Sequence, residues 1–381
     1  MACSEPGEPM IGGFATWRNV PITFDQVGTS SETVQVANYM RVTPNTEDTP
    51  AAENIEVGLY AEKTGTTTQS YGPRWWELTT SGGQVYAIRS GVNPTVADGR
   101  NHTYMAVRQD DADQWFVLYD FNMVGVTFHQ LPVPRGNPNR IDVGLEVAGP
   151  KYTNVPAIAN RMQFMDENKT WRRVTRTNTA TSVTLPACST TYKPPNCFTT
   201  KITDSTSFTE WNVSKPRNTT ASAQFGPPAA SASASALPGT FNGVDQRALQ
   251  ACMEQDPASC LTTVPGLADC VMTQMACNAE ALLATNEPAT QRRSEASVSA
   301  AHIRSQAAAA FRVGTTDVTV AARPAGAASL DAADSATAWT VTSTQPTAGL
   351  RPSKGRTFEG FQASYSAQGE LIKACWGELC P

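Results

Sequence analysis

Apolar and polar residues alternate with a period of two along much of the first half of the chain. The clearest run is Ile141-Asp142-Val143-Gly144-Leu145-Glu146-Val147-Ala148. Successive side chains of a strand point to opposite faces, so this run predicts a strand with one buried and one polar face. The same alternation surrounds Val34 and Val36, then Ile55, Val57 and Leu59, then Trp76 and Leu78, Val85 and Ala87, and Met105 and Val107. The run Gln114–Tyr119 is apolar on both faces, and Gln163–Met165 and Trp171–Val174 complete the set. Turn residues separate these runs at short intervals, and no helical period interrupts them. The pattern predicts an antiparallel β-sandwich of jelly-roll, concanavalin-like type over residues 14–215, preceded by a tail over 1–13.

The pattern then changes. Residues 216–242 contain Pro227-Pro228 followed by an Ala/Ser repeat to Ala236, the composition of a flexible or extended linker. Beyond it the period lengthens to that of helices. Asp245 is placed to cap a helix over Gln246–Met253, Leu267–Leu283 is a second candidate, and Arg292–Phe311 is an alanine-rich third. Strands are expected at Asp317–Ala321, Ala338–Ser343, Phe361–Tyr365 and Glu370–Trp376, with Ala367-Gln368-Gly369 turning the last hairpin. The expected organisation is therefore a Cys-rich helical segment over 243–290, its four cysteines stapling the first two helices by disulfides, and a small α+β domain over 291–381. The chain is multidomain and mainly β on this reading.

Composition narrows the functional classes. Charged residues make up 17% of the chain and the formal net charge is −5, with no dense Lys/Arg patch. Nucleic acid is not expected as a partner, because phosphate neutralisation needs clustered cations. No stretch approaches the length of an apolar membrane span. Of nine cysteines, eight fall into local groups: Cys188 with Cys197, the four at Cys252, Cys260, Cys270 and Cys277, and Cys375 with Cys380. Even, local groups read as disulfides of an oxidising compartment, and hence a secreted or cell-surface protein. Met1-Ala2-Cys3-Ser4 resembles the start of a mature bacterial lipoprotein, which would put a lipid on Cys3; an ordinary unpaired cysteine fits equally.

Several chemistries find no support. The three histidines, His102, His129 and His302, stand in unrelated contexts without a nucleophile elbow, and read as surface or edge residues. There is no phosphate-cradling glycine loop, and no cofactor or metal is expected. The acidic run Asp110-Asp111-Ala112-Asp113 reads as a solvated turn rather than a calcium loop. Adjacent Trp75 and Trp76 must point to opposite faces. Trp75, with Glu77, Tyr60 and Glu56 on a free sheet face, would make an aromatic and carboxylate surface for a sugar or peptide.

Two resemblances add to this reading. The order of Val34-Gln35-Val36-Ala37-Asn38, the segment Tyr104–Tyr119, and Asp142-Val143-Gly144-Leu145-Glu146-Val147 is similar to that in the neprosin-like and eqolisin glutamic peptidases. That resemblance implies a double-sheet sandwich with Gln35 and Glu146 as the catalytic pair of an acid-acting endopeptidase. The Gly-Trp that follows the first position in plant neprosins is Ala37-Asn38 here. Phe361–Leu371, with Gly369-Glu370 before the final strand, resembles a PepSY-type half, a module of secreted proteins; a generic cystatin-like sheet has the same order. The leading expectation is a secreted or cell-surface binding or structural protein. Its sandwich would recognise a polysaccharide, a peptide, an envelope component or a second copy of itself. The alternative is a glutamic endopeptidase or a non-catalytic descendant of one.

Overall fold

The computed structural model of the chain describes residues 2–3, 9–24, 33–46, 53–64, 68–88, 97–110, 112–134, 139–148, 153–174, 179–180, 198–203, 207–211, 239–273, 276–286, 298–323, 337–350 and 356–380. Its strands begin with β1 (Ala2–Cys3), β2 (Gly12–Arg18), β3 (Thr23–Phe24), β4 (Thr33–Thr43), β5 (Asn54–Thr64), β6 (Thr68–Leu78) and β7 (Gly82–Ala87). There follow β8 (Asn101–Arg108), β9 (Trp115–Tyr119), β10 (Asn122–Val126), β11 (Arg140–Ala148), β12 (Thr153–Asn154), β13 (Ile158–Met165), β14 (Trp171–Arg173), β15 (Thr179–Ala180), β16 (Thr199–Ile202) and β17 (Ser207–Trp211). Two short strands, β18 (Thr240–Phe241) and β19 (Val244–Asp245), lead into helices α1 (Gln246–Gln255), α2 (Cys260–Thr263), α3 (Leu267–Thr273), α4 (Ala279–Asn286) and α5 (Ala300–Phe311). The chain then returns to strands at β20 (Thr319–Ala322), β21 (Trp339–Thr347), β22 (Phe358–Tyr365) and β23 (Leu371–Gly377).

The strands form two main antiparallel sheets. Among the described residues, the longer runs β15-β1-β11-β4-β5-β6-β7-β23-β22-β21-β20, and the shorter β10-β9-β8-β2-β13-β17-β16 with β14 beside β13. Their facing sides make the main core. Val36, Met40, Val42, Ile55, Val57, Leu59, Ile141 and Val143 from the long sheet meet Ala15, Trp17, Tyr104, Ala106, Val117 and Met162 from the short one. This is the expected sandwich, and the alternation read along β4, β5 and β11 assigns the inward residues correctly.

Each sheet also buries part of its outer face. The far side of the short sheet, with Phe14, Met105, Val107, Leu118 and Phe121, is covered by Leu249, Leu261, Leu267 and Val271 of the helical segment. The far side of the long sheet, with Tyr60, Trp76, Val85, Val341, Phe361 and Trp376, is covered by Ile303, Ala307 and Phe311 of α5. Phe311 stacks on Phe361 at a centroid distance of 3.8 Å, and Trp76 meets Trp376 edge-on at 6.1 Å. The order of layers is thus helices, short sheet, long sheet, and α5 over part of the long sheet.

Three details depart from the sequence reading. The segment expected as a separate α+β domain shares the sandwich's own sheet, because β23 pairs with β7 through Lys373↔Tyr86, Ala374↔Val85 and Cys375↔Gln84. The edge of β7 carries N–H and C=O groups that need partners, and β23 supplies them with its apolar residues in phase. Second, the helix expected over Leu267–Leu283 is two helices, α3 and α4. The N–H groups of Cys277 and Asn278 donate to Asn122 Oδ1 at 2.9 and 3.0 Å, so they are not spent on helical carbonyls. Third, the central cysteines join as neighbours, Cys252–Cys260 and Cys270–Cys277, and so do not bridge the first expected helix to the second. Cys375–Cys380 closes as expected, while Cys188 and Cys197 lie outside the described residues. The backbone of Cys3 pairs with Ile141 on one side and Thr179 on the other.

The capping residue was legible. Asp245 accepts from the N–H groups of Arg247 and Ala248 at 2.9 and 3.1 Å, satisfying two donors that the first helical turn cannot pair. Asp245→Ala is expected to lower stability by about 1 kcal/mol in urea denaturation. An unchanged midpoint would show that α1 is held by packing alone.

Candidate functional site

None of the four aromatic and carboxylate residues expected on a free face is free. Trp75 is 3% exposed, and Glu77, Tyr60 and Glu56 are completely buried. They also divide between the two sides of the sheet. Trp75 lies opposite Val57, and Glu77 opposite Ile55, so both face the short sheet. Trp75 is stacked against Tyr86 at 4.9 Å, and Gly125 of β10 lies so close that a Cβ there would come within 2.5 Å of the indole. Glu77 accepts from the backbone N–H groups of Phe128 and His129 at 2.7 and 2.8 Å and from the Gln84 amide. Its role is to hold the loop after β10. Tyr60 and Glu56 lie on the outer side, where Tyr60 packs in the cluster formed with α5 and Glu56 is buried against Arg41 and Tyr60. Strand alternation alone does not fix register or the position of a distant helix, and both were needed here.

The outer side of β4, β5 and β11 holds a connected polar group instead. Tyr39, Arg41, Glu56, Tyr60 and Glu146 share it, as the pairings Tyr39↔Gly58, Arg41↔Glu56 and Glu146↔Ala37 require. Glu56 Oε1 accepts from Arg41 Nε at 2.6 Å and lies 2.5 Å from Nη2, while Tyr60 donates to Oε2 at 3.2 Å. The guanidinium carbon stands 4.7 Å from the Tyr39 ring centroid. Glu146 Oε2 is 3.6 Å from Arg41 Nη2, and its side chain is 58% exposed against 23% for Arg41. Burial alone would lower the pKa of Arg41. Glu56, Tyr39 and Asp142 together outweigh it and raise that pKa, so the guanidinium stays charged. Asp142 takes Arg140 at 2.9 Å on the same side of β11, and Glu62 faces Arg74 at 3.7 Å nearby.

Gln35 lies on this side as well. It is opposite Ala148 on β11, two positions along from Glu146, so the two are diagonal neighbours on adjacent strands. The expected pair therefore shares one face, at the end of the patch where the sheet is exposed.

A second cluster was missed. His102 is buried, not a surface residue. Its Nδ1 is 2.6 Å from Asp120 Oδ2, its Nε2 is 2.8 Å from Asp98 Oδ2, and the Tyr119 hydroxyl lies 2.8 Å from Nδ1. Burial disfavours the imidazolium, but Asp120 and Asp98 outweigh it and push the His102 pKa up to about 10. Those same contacts hold the Asp98 carboxyl below its ordinary value against the effect of burial. Asp120 and Phe121 form the turn between β9 and β10 with φ of 49° and 64°. Asp120 Oδ1 fixes that turn by accepting from the Thr103 N–H at 2.9 Å. The hydroxyl that meets His102 is that of Tyr119, buried and pushed well above its ordinary pKa by that burial, so the cluster reads as a brace of the fold. The signal was present in the sequence: His102 is in phase with Tyr104 and Ala106 on β8. His302 is exposed, as expected, and His129 is half-buried beside Glu77. Of the acidic run, Asp110 takes Lys169 and Asp113 faces Arg108; Asp111 lies outside the described residues.

No helix among the described residues is long and apolar enough to cross a membrane. No family model matches this chain, and no curated protein matches it in sequence. Among solved structures, it is similar to scytalido-glutamic peptidase with a peptide-based transition-state analogue, at 11% identity and a TM-score of 0.31, over 56% of this chain and 97% of that one. It is also similar to the kappa-carrageenase of Pseudoalteromonas carrageenovora with a kappa-carrageenan oligosaccharide, at 12% identity and a TM-score of 0.21, over 39% of this chain and 55% of the other. The β-porphyranase BpGH16B of Bacteroides plebeius follows at 13% identity and a TM-score of 0.14, over 39% of this chain and 51% of that one. The likeness to a glutamic peptidase and to carbohydrate-active sandwiches is weak, and carries nothing about the activity of this chain.

Proposed function

We propose that the protein is a secreted binding protein that engages an extended polymer on the outer face of β4 and β11. The observation that supports this is the fixed guanidinium of Arg41. A buried carboxylate behind it and an aromatic ring beneath it set its orientation before any ligand arrives. Preorganised polar groups bind without the entropy cost of ordering a long side chain, and a merely solvated sheet face has no need of one. The disulfides fit an oxidising compartment.

Peptide and glycan arrays probed with the wild type and with Tyr39→Ala test this reading. Tyr39 is partly exposed beside Arg41, and its loss is expected to weaken capture roughly ten-fold. Ligands that bind both proteins alike would place recognition elsewhere.

A second reading is favoured by one specific observation, that Gln35 and Glu146 share a face on adjacent strands. A carboxylate there could activate water and an amide could orient it, the division of labour of a glutamic endopeptidase. Cleavage of an unfolded protein from about pH 3 to 8 is the test. Hydrolysis at acid pH that disappears in Glu146→Gln would establish the enzyme. A folded wild type that cleaves nothing would leave the binding role.

A further inference from the structure

We propose that the β10 end of the short sheet is a self-association surface, on which Phe128 of one copy seats against Met123 and Val126 of a second. This surface is distinct from the outer side of β4 and β11, and the inference does not rest on the reading of that side. Among the described residues four large apolar side chains are exposed, and three of them belong to this one stretch: Met123 at 46%, Val126 at 41% and Phe128 at 66%. Single exposed apolar residues are ordinary, but a contiguous patch marks a contact. β10 is the terminal strand of its sheet, and a bulge sets its faces. Gly125 pairs with Val117 and Val124 packs on the main core, so two consecutive residues turn inward. Met123 and Val126, paired with Leu118 and Phe116, are both left on the outer face, past the cover of the helices. Phe128 is presented on fixed backbone. Its N–H and that of His129 donate to the completely buried Glu77. The Thr127 N–H donates to the Trp115 carbonyl at 3.0 Å, and the Thr127 carbonyl accepts from the Gln114 amide at 2.9 Å. A ring held out on ordered backbone loses little entropy when a partner covers it.

Charge selects the occupant. From Gln114 to Pro134 the sequence holds no Glu, Lys or Arg, and its acidic side chain past Gln114, Asp120, is buried. A membrane surface calls for basic residues beside an apolar anchor, and a charged partner calls for opposite charge there; this segment has neither. Two copies of a chain carrying −5 repel each other over most of their surfaces and meet at least cost where both are neutral. A two-fold contact also needs knob and seat on the same patch, and Phe128 with Met123 and Val126 supplies both. Three side chains fall short of the roughly 800 Å² per partner that a lasting complex buries, so the contact is reversible.

Sedimentation velocity of the full chain over a concentration series is the test, with NMR of labelled methionine methyl groups reading the contact. The wild type is expected to dimerise with a Kd between about 10 μM and about 1 mM, and the Met123 methyl resonance, assigned by Met123→Leu, to shift as dimer forms. Phe128→Asp and Met123→Lys should each weaken self-association by roughly thirty-fold or more, with unchanged circular dichroism because both side chains stand in solvent. Mixing those two variants should restore dimers, since one of the two contacts is then native and the other pairs opposite charges. A wild type that stays monomeric up to about 1 mM overturns the inference, and so does a dimer that survives Phe128→Asp. Folded variants that do not complement each other on mixing overturn the seating of Phe128 on Met123. A monomeric wild type that floats with phosphatidylcholine vesicles, and no longer does so in Phe128→Asp, overturns self-association in favour of a lipid surface.

Discussion

Replacing His102 with alanine is expected to destabilise the protein by about 3–5 kcal/mol at neutral pH. The imidazolium lies between Asp98 and Asp120, and removing it leaves two buried carboxylates with no cation between them. The turn at Asp120 and Phe121 suffers next, since its left-handed backbone is held by the same Asp120 side chain. Phe121 packs among the helices, and its carbonyl accepts from the Cys277 N–H at 3.3 Å, so the damage should reach the Cys270–Cys277 loop. Denaturation monitored by near-UV circular dichroism would show it. The pH dependence gives a second check. His102 is raised in the fold, so its contribution is fully present below pH 6.5 and lost as pH rises through about 10. The variant should lack that alkaline loss. A shift below about 1 kcal/mol with the alkaline limb intact would mean the histidine is incidental.

The second large effect concerns Glu210. It is buried between the sheets, where burial pushes its pKa up from 4.5 to about 7 despite hydrogen bonds from the Asn160 amide and the Leu145 backbone. The folded state thus binds a proton that the unfolded chain has already released. Its contribution is complete below pH 4.5 and is lost as pH rises through about 7, amounting to about 3 kcal/mol across that window. Asp98 acts in the opposite sense, because its carboxyl is held below 3.8 and its contribution is lost on acidification below that value. Stability should therefore peak at about pH 4–6 rather than at neutrality. Glu210→Gln keeps an acceptor for Asn160 and removes the ionisation, so it should raise stability at neutral pH and flatten the curve from about pH 5 to 7. Equal loss of stability at pH 5 and pH 8 in that variant would refute the assignment.

Local sequence carried the strands and their faces well. Ile141 and Val143 face the core while Asp142 and Glu146 do not, and Gln35 shares the side of Glu146, as the two-residue period requires. Asp245 was legible because capping is a local hydrogen bond. What failed depended on contacts between distant segments. Trp75 and Glu77 were correctly placed on one side of β6, but the register against β5 puts that side inward, away from Tyr60 and Glu56. Tyr60 is covered rather than free because α5 packs on its side of the sheet, and nothing near Tyr60 in sequence announces that helix. Arg41 was overlooked because a lone arginine in a strand looks like solvation until Glu56, Tyr39 and Glu146 are seen around it.

The pairing of Tyr86 with Lys373 has a consequence for how the molecule comes into being. On the ribosome, β7 emerges long before β23 exists, and until then Trp76 and Val85 have neither Trp376 nor Phe311 to cover them. A nascent chain in that condition presents an unfilled strand edge beside an apolar patch, the combination that recruits other chains. The half-made protein is thus the aggregation-prone species, and a helper that shields β7 during synthesis would raise the yield of the finished one. Truncation before β23 should produce inclusion bodies rather than a smaller soluble sandwich.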